Sequence, residues 1–377
     1  MKNFLQILLF AGLVACSEKT QETQSDTYIP ELVITDSLVI DHLTSLGMID
    51  LKEDHSEFLF YDFKTSEFLR VANSGEILAK ANRSEDGKDS YKQRYFTIAN
   101  YYGEDEILIL TLTSAFIYDL FFNLKEEKKL TFDLVTNRIG GSRAAQSYKD
   151  FLYTFSLEKS NSKDVYESDE FSISYPFLTI RDLDSMNILS SESIPAESQM
   201  AITPGKYNNL DPIVKVIKDE IFVLFPNSPE IYVYQFPELK LIGKWDLYPG
   251  KDYKQISPTK DEESFEGFLN ALASSEYSNF VFSNGYLLTQ FDGFVPQDEV
   301  DKLPREYVGG PEFMELVDKY KSKYNYQIFR DEQKLWQGSW DVNLWSVRNI
   351  LYSNAKPGED PDAVEKDVQT IYFYELK

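Results

Sequence analysis

Six times along this 377-residue chain, a β-prone apolar run turns tightly through a few polar residues into a second apolar run. No other feature restricts the fold so strongly, because an internal repeat of strand pairs dictates a repeated sheet. The turns are Lys52-Glu53-Asp54, Gly103-Glu104-Asp105, Lys149-Asp150, Lys218-Asp219, Asn284-Gly285 and Arg348-Asn349. Asn-Gly is the strongest of them, since both residues accept the positive φ of a type I′ hairpin turn. The other turns persuade as a series. A second hairpin follows each first one, reading FLFYDFKTSEFLRVANSGEILAKA at 58–81, FIYDLFFNLKEEKKLTFDL at 116–134 and FLTIRDLDSMNILSSESI at 177–194. It returns as IYVYQFPELKLIGKWDL at 231–247 and YQIFRDEQKLWQGSWDV at 326–342. The sixth copy begins with TIYFYEL at 370–376 and then lacks one strand, which ELVITDSLVID at 31–41 can supply. Six four-stranded units completed in this way describe an all-β, six-bladed propeller whose N-terminal strand closes the last blade. Closure leaves no long unpaired sheet edge. Two β-sandwiches or an all-β solenoid are the alternatives.

The amino terminus reads as an address. Lys2 precedes an apolar run from Phe4 to Val14, too short for an ordinary membrane helix and the right size for a signal-peptide core. Leu13-Val14-Ala15-Cys16 resembles the bacterial lipobox, which implies cleavage before Cys16 and a lipid on it. Cys16 is the chain's single cysteine. The polar stretch that follows cannot bury anything and predicts a disordered tether. The expected organisation is thus a signal peptide over 1–15, a lipidated cysteine and flexible tether over 16–30, and the propeller over 31–377. In the lipoprotein family Ser17 after the cysteine implies outer-membrane delivery, and Glu18 and Glu22 resemble the acidic surface-export signals of Bacteroidota lipoproteins.

The lipobox, the length and hairpins of the type YDFKTSEFLRVANSGEILAKA together resemble the six-bladed, TolB-like propeller lipoproteins of Bacteroidota, many of them domains of unknown function. The resemblance covers roughly residues 31–377 and rests on strand pattern; a repeated Trp-Asp or kelch-type glycine signature is lacking. It implies a fold and a cell-envelope compartment, and it transfers no catalytic residue.

With the strands of each blade lettered A to D from the centre outwards, A–B and C–D turns share one face and B–C and D–A connections the other. The long segments 82–93, 135–142, 194–212 and 248–277 are D–A connections, and 157–174, 292–325 and 356–368 are B–C connections. Every large insertion therefore falls on one face, and loops on a rigid scaffold are where binding concentrates. Two insertions predict helices: one begins at Pro311 with Phe313, Leu316, Val317 and Tyr320 on a stripe, the other carries Phe265, Phe268, Leu269 and Leu272. Both stripes are expected to pack down as a lid, or else to display a partner-binding helix.

Composition removes several chemistries. One cysteine cannot build an internal disulfide, a cysteine zinc site or an iron–sulfur cluster, and His42 and His55 sit in no metal-ligand motif. A formal charge of −24 repels phosphate backbones, so nucleic acid is not an expected partner. The acidic runs Tyr166–Glu170, Asp261–Glu263 and Gly358–Asp367, with Glu359, Asp360 and Asp362 densest, lack the order of a calcium loop and read as solvated loops. No Gly-x-Ser-x-Gly elbow is present.

The candidate ligand-binding residues are Arg138 and Arg143 in the Asn137–Arg143 loop with its Gly140-Gly141 pair, Arg94 at the matching point of the preceding blade, and Tyr207. Arginines at a channel mouth can fork to an acidic ligand. Loop aromatics such as Tyr207, Tyr253 and Tyr307 can stack on sugars or anchor a protein. The expected function is a lipid-anchored envelope propeller that binds a small molecule, glycan or envelope protein through its long-loop face, without cofactor or metal. A hydrolase or lyase working on glycans with carboxylates on that face is the alternative, and a structural subunit of an outer-membrane assembly is a third. An enzyme requires a deep channel-mouth pocket with carboxylates of perturbed pKa. A binding module shows an aromatic or arginine-lined cleft without such a pair, and an assembly subunit a broad apolar patch on the helical insertions.

Overall fold

The six tight turns are where they were expected, and each joins the two innermost strands of a blade. The computed structural model describes residues 29–93, 96–134, 145–158, 174–207, 209–259, 265–304, 310–359 and 367–377. Blade 1 comprises strands A to D as Leu46–Leu51, Glu57–Asp62, Glu67–Ala72 and Ile77–Asn82. Blade 2 runs Ile98–Tyr102, Glu106–Leu110, Ser114–Asp119 and Leu124–Lys129. Blade 3 runs Ala145–Tyr148, Phe151–Thr154, Leu178–Asp182 and Ile188–Glu192. Blade 4 runs Ile213–Ile217, Glu220–Leu224, Glu230–Gln235 and Lys240–Asp246. Blade 5 runs Tyr277–Ser283, Tyr286–Asp292, Tyr324–Arg330 and Gln333–Gly338. Blade 6 runs Trp345–Val347, Ile350–Ser353 and Gln369–Leu376, and Leu32–Ile40 is its outermost strand. All pairings are antiparallel, and the closing strand runs from Leu32 opposite Leu376 to Ile40 opposite Gln369 with one register shift between Ile34 and Asp36.

Turn chemistry explains the tight corners. Asn284 and Gly285 both have positive φ, as a type I′ turn demands, and Lys149, Lys218 and Arg348 take the left-handed conformation at the same point of their blades. Gly75, at φ +90°, lies in the C–D turn of blade 1, where a Cβ would stand 2.0 Å from the Val39 carbonyl oxygen of the closing strand. No side chain fits there.

The core is divided among the six junctions between blades. Leu38, Ile40 and Ile371 of blade 6 pack on Phe60, Leu69 and Val71 of blade 1. Comparable clusters fill the other five junctions, for example Tyr61, Phe68, Ala99 and Phe116 between blades 1 and 2. Middle strands are covered on both faces, which is why Glu106–Leu110 and Glu220–Leu224 read as continuous apolar runs rather than alternating ones.

The insertions form a second layer on one face. The hairpin expected over 116–134 ends at Lys129; Phe132–Leu134 leaves blade 2 and pairs with Ser156–Glu158 of the blade 3 B–C insertion. Lys206 and Thr259 bridge the D–A connections after blades 3 and 4. Helices Phe265–Leu272 and Pro311–Tyr320 start where expected and pack together through Leu269, Leu272, Phe313, Leu316, Val317 and Tyr320. Phe268 and Met314 stay exposed. Two shorter helices, Gln199–Ile202 and Gln297–Val300, were not legible in the sequence.

Candidate functional site

The innermost strand of each blade runs alongside the axis, so any residue on its inward side lines a common channel. Each strand A places at least one polar residue on this lining: Asp50, Asn100, Gln146, Lys215, Asn279 and Ser346 come one from each of the six blades. They surround a cavity of about 380 Å³, to which Ser278, Gln290, Tyr324 and Trp345 also contribute. That volume lies within the range of ordinary small-ligand sites.

Both ends of the charge balance are engaged. Arg348, at the A–B turn of blade 6, grips Asp50 of blade 1 with Nε at 2.8 Å from Oδ1 and Nη2 at 3.1 Å from Oδ2. The Tyr101 backbone N–H donates to Asp50 Oδ2 at 2.8 Å, bringing in blade 2. Burial works against the Arg348 charge, but hydrogen bonding to Asp50 and its negative charge outweigh that and raise the guanidinium pKa. Lys215 of blade 4 donates to Ser346 Oγ at 3.1 Å and to the Arg348 carbonyl. Ser346 in turn donates to Asn279 Oδ1 at 2.9 Å. Asn100 Oδ1 is buried and has no hydrogen-bond partner among the described residues.

A second cavity of about 590 Å³ opens among the short turns and shares Arg348 with the channel. The A–B turns of blades 1, 2 and 3 line it with Lys52, Tyr101, Tyr102, Tyr148 and Lys149, and with Glu53, Asp54, Glu104 and Asp105 at exposed turn tips. Lys52 is committed to Glu57 at 3.0 Å, and Lys149 lies 5.4 Å from the centre of the Tyr148 ring.

Most of the residues singled out from sequence lie outside the described residues: Cys16, Arg94, Arg138, Arg143, Tyr307, Asp360 and Asp362. Tyr207 is described, and the expectation of an exposed aromatic is corrected. It is 3 % exposed, packs into the cluster between blades 3 and 4, and donates its hydroxyl to the Thr203 carbonyl. Burial pushes its pKa up to about 12. The Lys206–Thr259 bridge lies beside it. Tyr253 likewise packs on Tyr277 and Phe291, with ring centres 5.4 and 5.7 Å away.

Of the carboxylates with shifted pKa values, Asp292 and Asp62 depart furthest, and both hold structure together. Burial raises Asp292 to about 6 against the opposing Lys321 ammonium at 2.9 Å. Lys321 also donates to Ser274 O at 2.7 Å, so it fastens the end of helix Pro311–Tyr320 to blade 5. Asp62 is held at about 2: burial would raise it, but hydrogen bonds from Thr44, His42 and the Thr65 and Lys64 amides prevail. The same His42 nitrogen touches Asp62 Oδ2 at 2.9 Å and Thr44 Oγ1 at 3.0 Å, so no hydroxyl–imidazole–carboxylate relay runs through them. Within the axial cavity, Asp50 is the one carboxylate among the described lining residues.

The polar residue in each strand A is what sequence reading missed. Its signal was present as a single polar interruption of an inner apolar run, as in Ile-Val-Lys-Val-Ile at 213–217 and Ile-Ala-Asn-Tyr-Tyr at 98–102.

No family model matches the chain, and no curated protein matches it. Solved structures do. A member of the DUF4221 family from Bacteroides vulgatus superposes with a TM-score of 0.59 at 10% identity, covering 93% of this chain and 99% of that one. A Bacteroides fragilis protein provisionally described as exported gives 0.57 at 12% identity, covering 94% and 97%. Among the described residues no helix is long and apolar enough to cross a membrane. At such identities the likeness carries the fold alone, and this chain is a six-bladed β-propeller similar in architecture to those two Bacteroides proteins.

Proposed function

We propose that this chain is a cell-envelope binding propeller, anchored to the outer membrane by lipid on Cys16, that takes a small polar ligand in its axial channel. One observation carries the ligand site: the inner strands of all six blades place a polar residue on the same cavity. Burying such groups is costly unless they are hydrogen-bonded, so six of them around one space form a poor core and a good binding surface. The glycan-cleaving reading needs two carboxylates facing each other across a sugar. The axial cavity offers Asp50 alone among its described lining residues, and Asp50 is clamped by Arg348. Within the axial cavity, binding is therefore the reading the geometry favours over glycan cleavage.

Thermal unfolding of the purified protein against sugars, amino acids, nucleotides and acidic peptides tests it, because a ligand of the folded state raises Tm by mass action. We expect a shift of several degrees with at least one small polar ligand, abolished by Asn100→Leu. A shift that survives Asn100→Leu but is lost in Arg138→Ala or Arg143→Ala moves the site to the long-loop face and overturns the axial assignment.

A further inference from the structure

We infer that the axial ligand is an uncharged, hydroxyl-rich molecule of saccharide type, and that Trp345 is the platform on which its ring stacks. The inference rests on the axial-site reading above and adds the class of ligand. The first ground is charge. Asp50 and Arg348 satisfy each other at 2.8 and 3.1 Å, and the Lys215 ammonium is directed at Ser346 Oγ and the Arg348 carbonyl. The groups left to meet a ligand are chiefly amides: Asn100, Gln146, Gln290 and the Nδ2 of Asn279, whose Oδ1 accepts from Ser346. A side-chain amide offers both a donor and an acceptor and carries no charge. A sugar hydroxyl has the same dual character, so a set of amides can match several hydroxyls without a counter-ion.

The second ground is Trp345. It lines the axial cavity yet is 50 % exposed. Leaving a large indole half-uncovered beside a polar channel forgoes the burial that such a side chain ordinarily gains. The aromatic face suits the apolar C–H side of a pyranose ring while amides take its hydroxyl edge. The remaining tryptophans are not placed in this way: Trp336 and Trp340 stack on each other at 4.8 Å, and Trp245 packs edge-on against Phe222 at 5.9 Å. A site built to hydrogen-bond hydroxyls rejects analogues that lack them, so deoxy sugars should bind worse than their parents.

The test is calorimetric titration with three sets of probes: neutral sugars (glucose, galactose, N-acetylglucosamine and cellobiose), their uronic acids, and small dicarboxylates. The expected result is binding by at least one neutral sugar, accompanied by a change in tryptophan fluorescence that disappears in Trp345→Phe. Trp345→Ala should weaken that binding at least tenfold with the unliganded Tm unchanged, and Trp345→Phe should retain most of it. Binding by the uronic acids or dicarboxylates alone, or sugar binding indifferent to Trp345→Ala, overturns this inference and leaves the axial site standing. A sugar whose binding survives Asn100→Leu overturns the axial reading itself, and with it the inference.

Discussion

At the scale of single residues, the contact with the widest reach is the Arg348–Asp50 pair. The two are 298 positions apart in sequence, and their pairing ties the last blade to the first at the rim of the channel. The Asp50 side chain is 2 % exposed, so removing the guanidinium strands a buried charge. Arg348→Ala should therefore lower the unfolding free energy by about 3–5 kcal/mol, the usual cost of breaking one side of a buried pair. Asp50→Asn in that background should recover part of the loss. Equilibrium denaturant unfolding of the single and double variants measures both, and a cost below about 1 kcal/mol for Arg348→Ala would show that the pair does not secure the seam.

At the scale of elements, the helical insertion on blade 5 is fastened by a carboxylate that folding makes harder to ionise. Asp292 is raised from 3.8 to about 6, so between those values the folded chain holds a proton that the unfolded chain has released. Its stabilising contribution is complete below pH 4 and fades as pH rises through 6. The stability of the parent relative to Asp292→Asn should accordingly increase as pH falls from 7 to 4, by up to roughly 2–3 kcal/mol. Chemical unfolding at stepped pH checks the sign, and parallel pH profiles for the two proteins would refute it.

Elements were also what the sequence made most legible. Local turn chemistry and apolar runs place hairpins such as Tyr277–Asp292 because the causes lie within a few residues. The departure of Phe132–Leu134 from blade 2 was hidden, since its partner Ser156–Glu158 is distant in sequence. The axial site was harder still. Asn100 and Lys215 look like incidental polar residues until six strands converge and set them around one space. Tyr207 failed in the opposite sense, because a loop position suggested exposure and a neighbouring insertion buried it.

At the scale of the whole molecule, the ring is shut by backbone pairing of distant segments. Glu31 and Lys377 exchange hydrogen bonds of 2.7 and 2.9 Å just beyond the closing strand. The proposed anchor acts on this end of the structure. Cys16→Ser should abolish labelling by a fatty-acid analogue and move the protein from the membrane fraction to the soluble one. A variant that remains labelled and membrane-bound would disprove lipidation at Cys16.

The closing strand also sets which way such a molecule faces. It enters at Leu32, opposite Leu376, and Asn284 from a short A–B turn reaches the Leu376 carbonyl at 3.1 Å, so the entry point lies on the short-turn face. The proposed tether over residues 16–30 joins the propeller at that face. Under the proposed lipid anchor, the short turns and their 590 Å³ cavity would be the side nearer the bilayer and the long insertions the side farther from it. A macromolecular visitor meets the insertions head-on from the aqueous side. A solute bound for the short-turn cavity would then approach it from the membrane side.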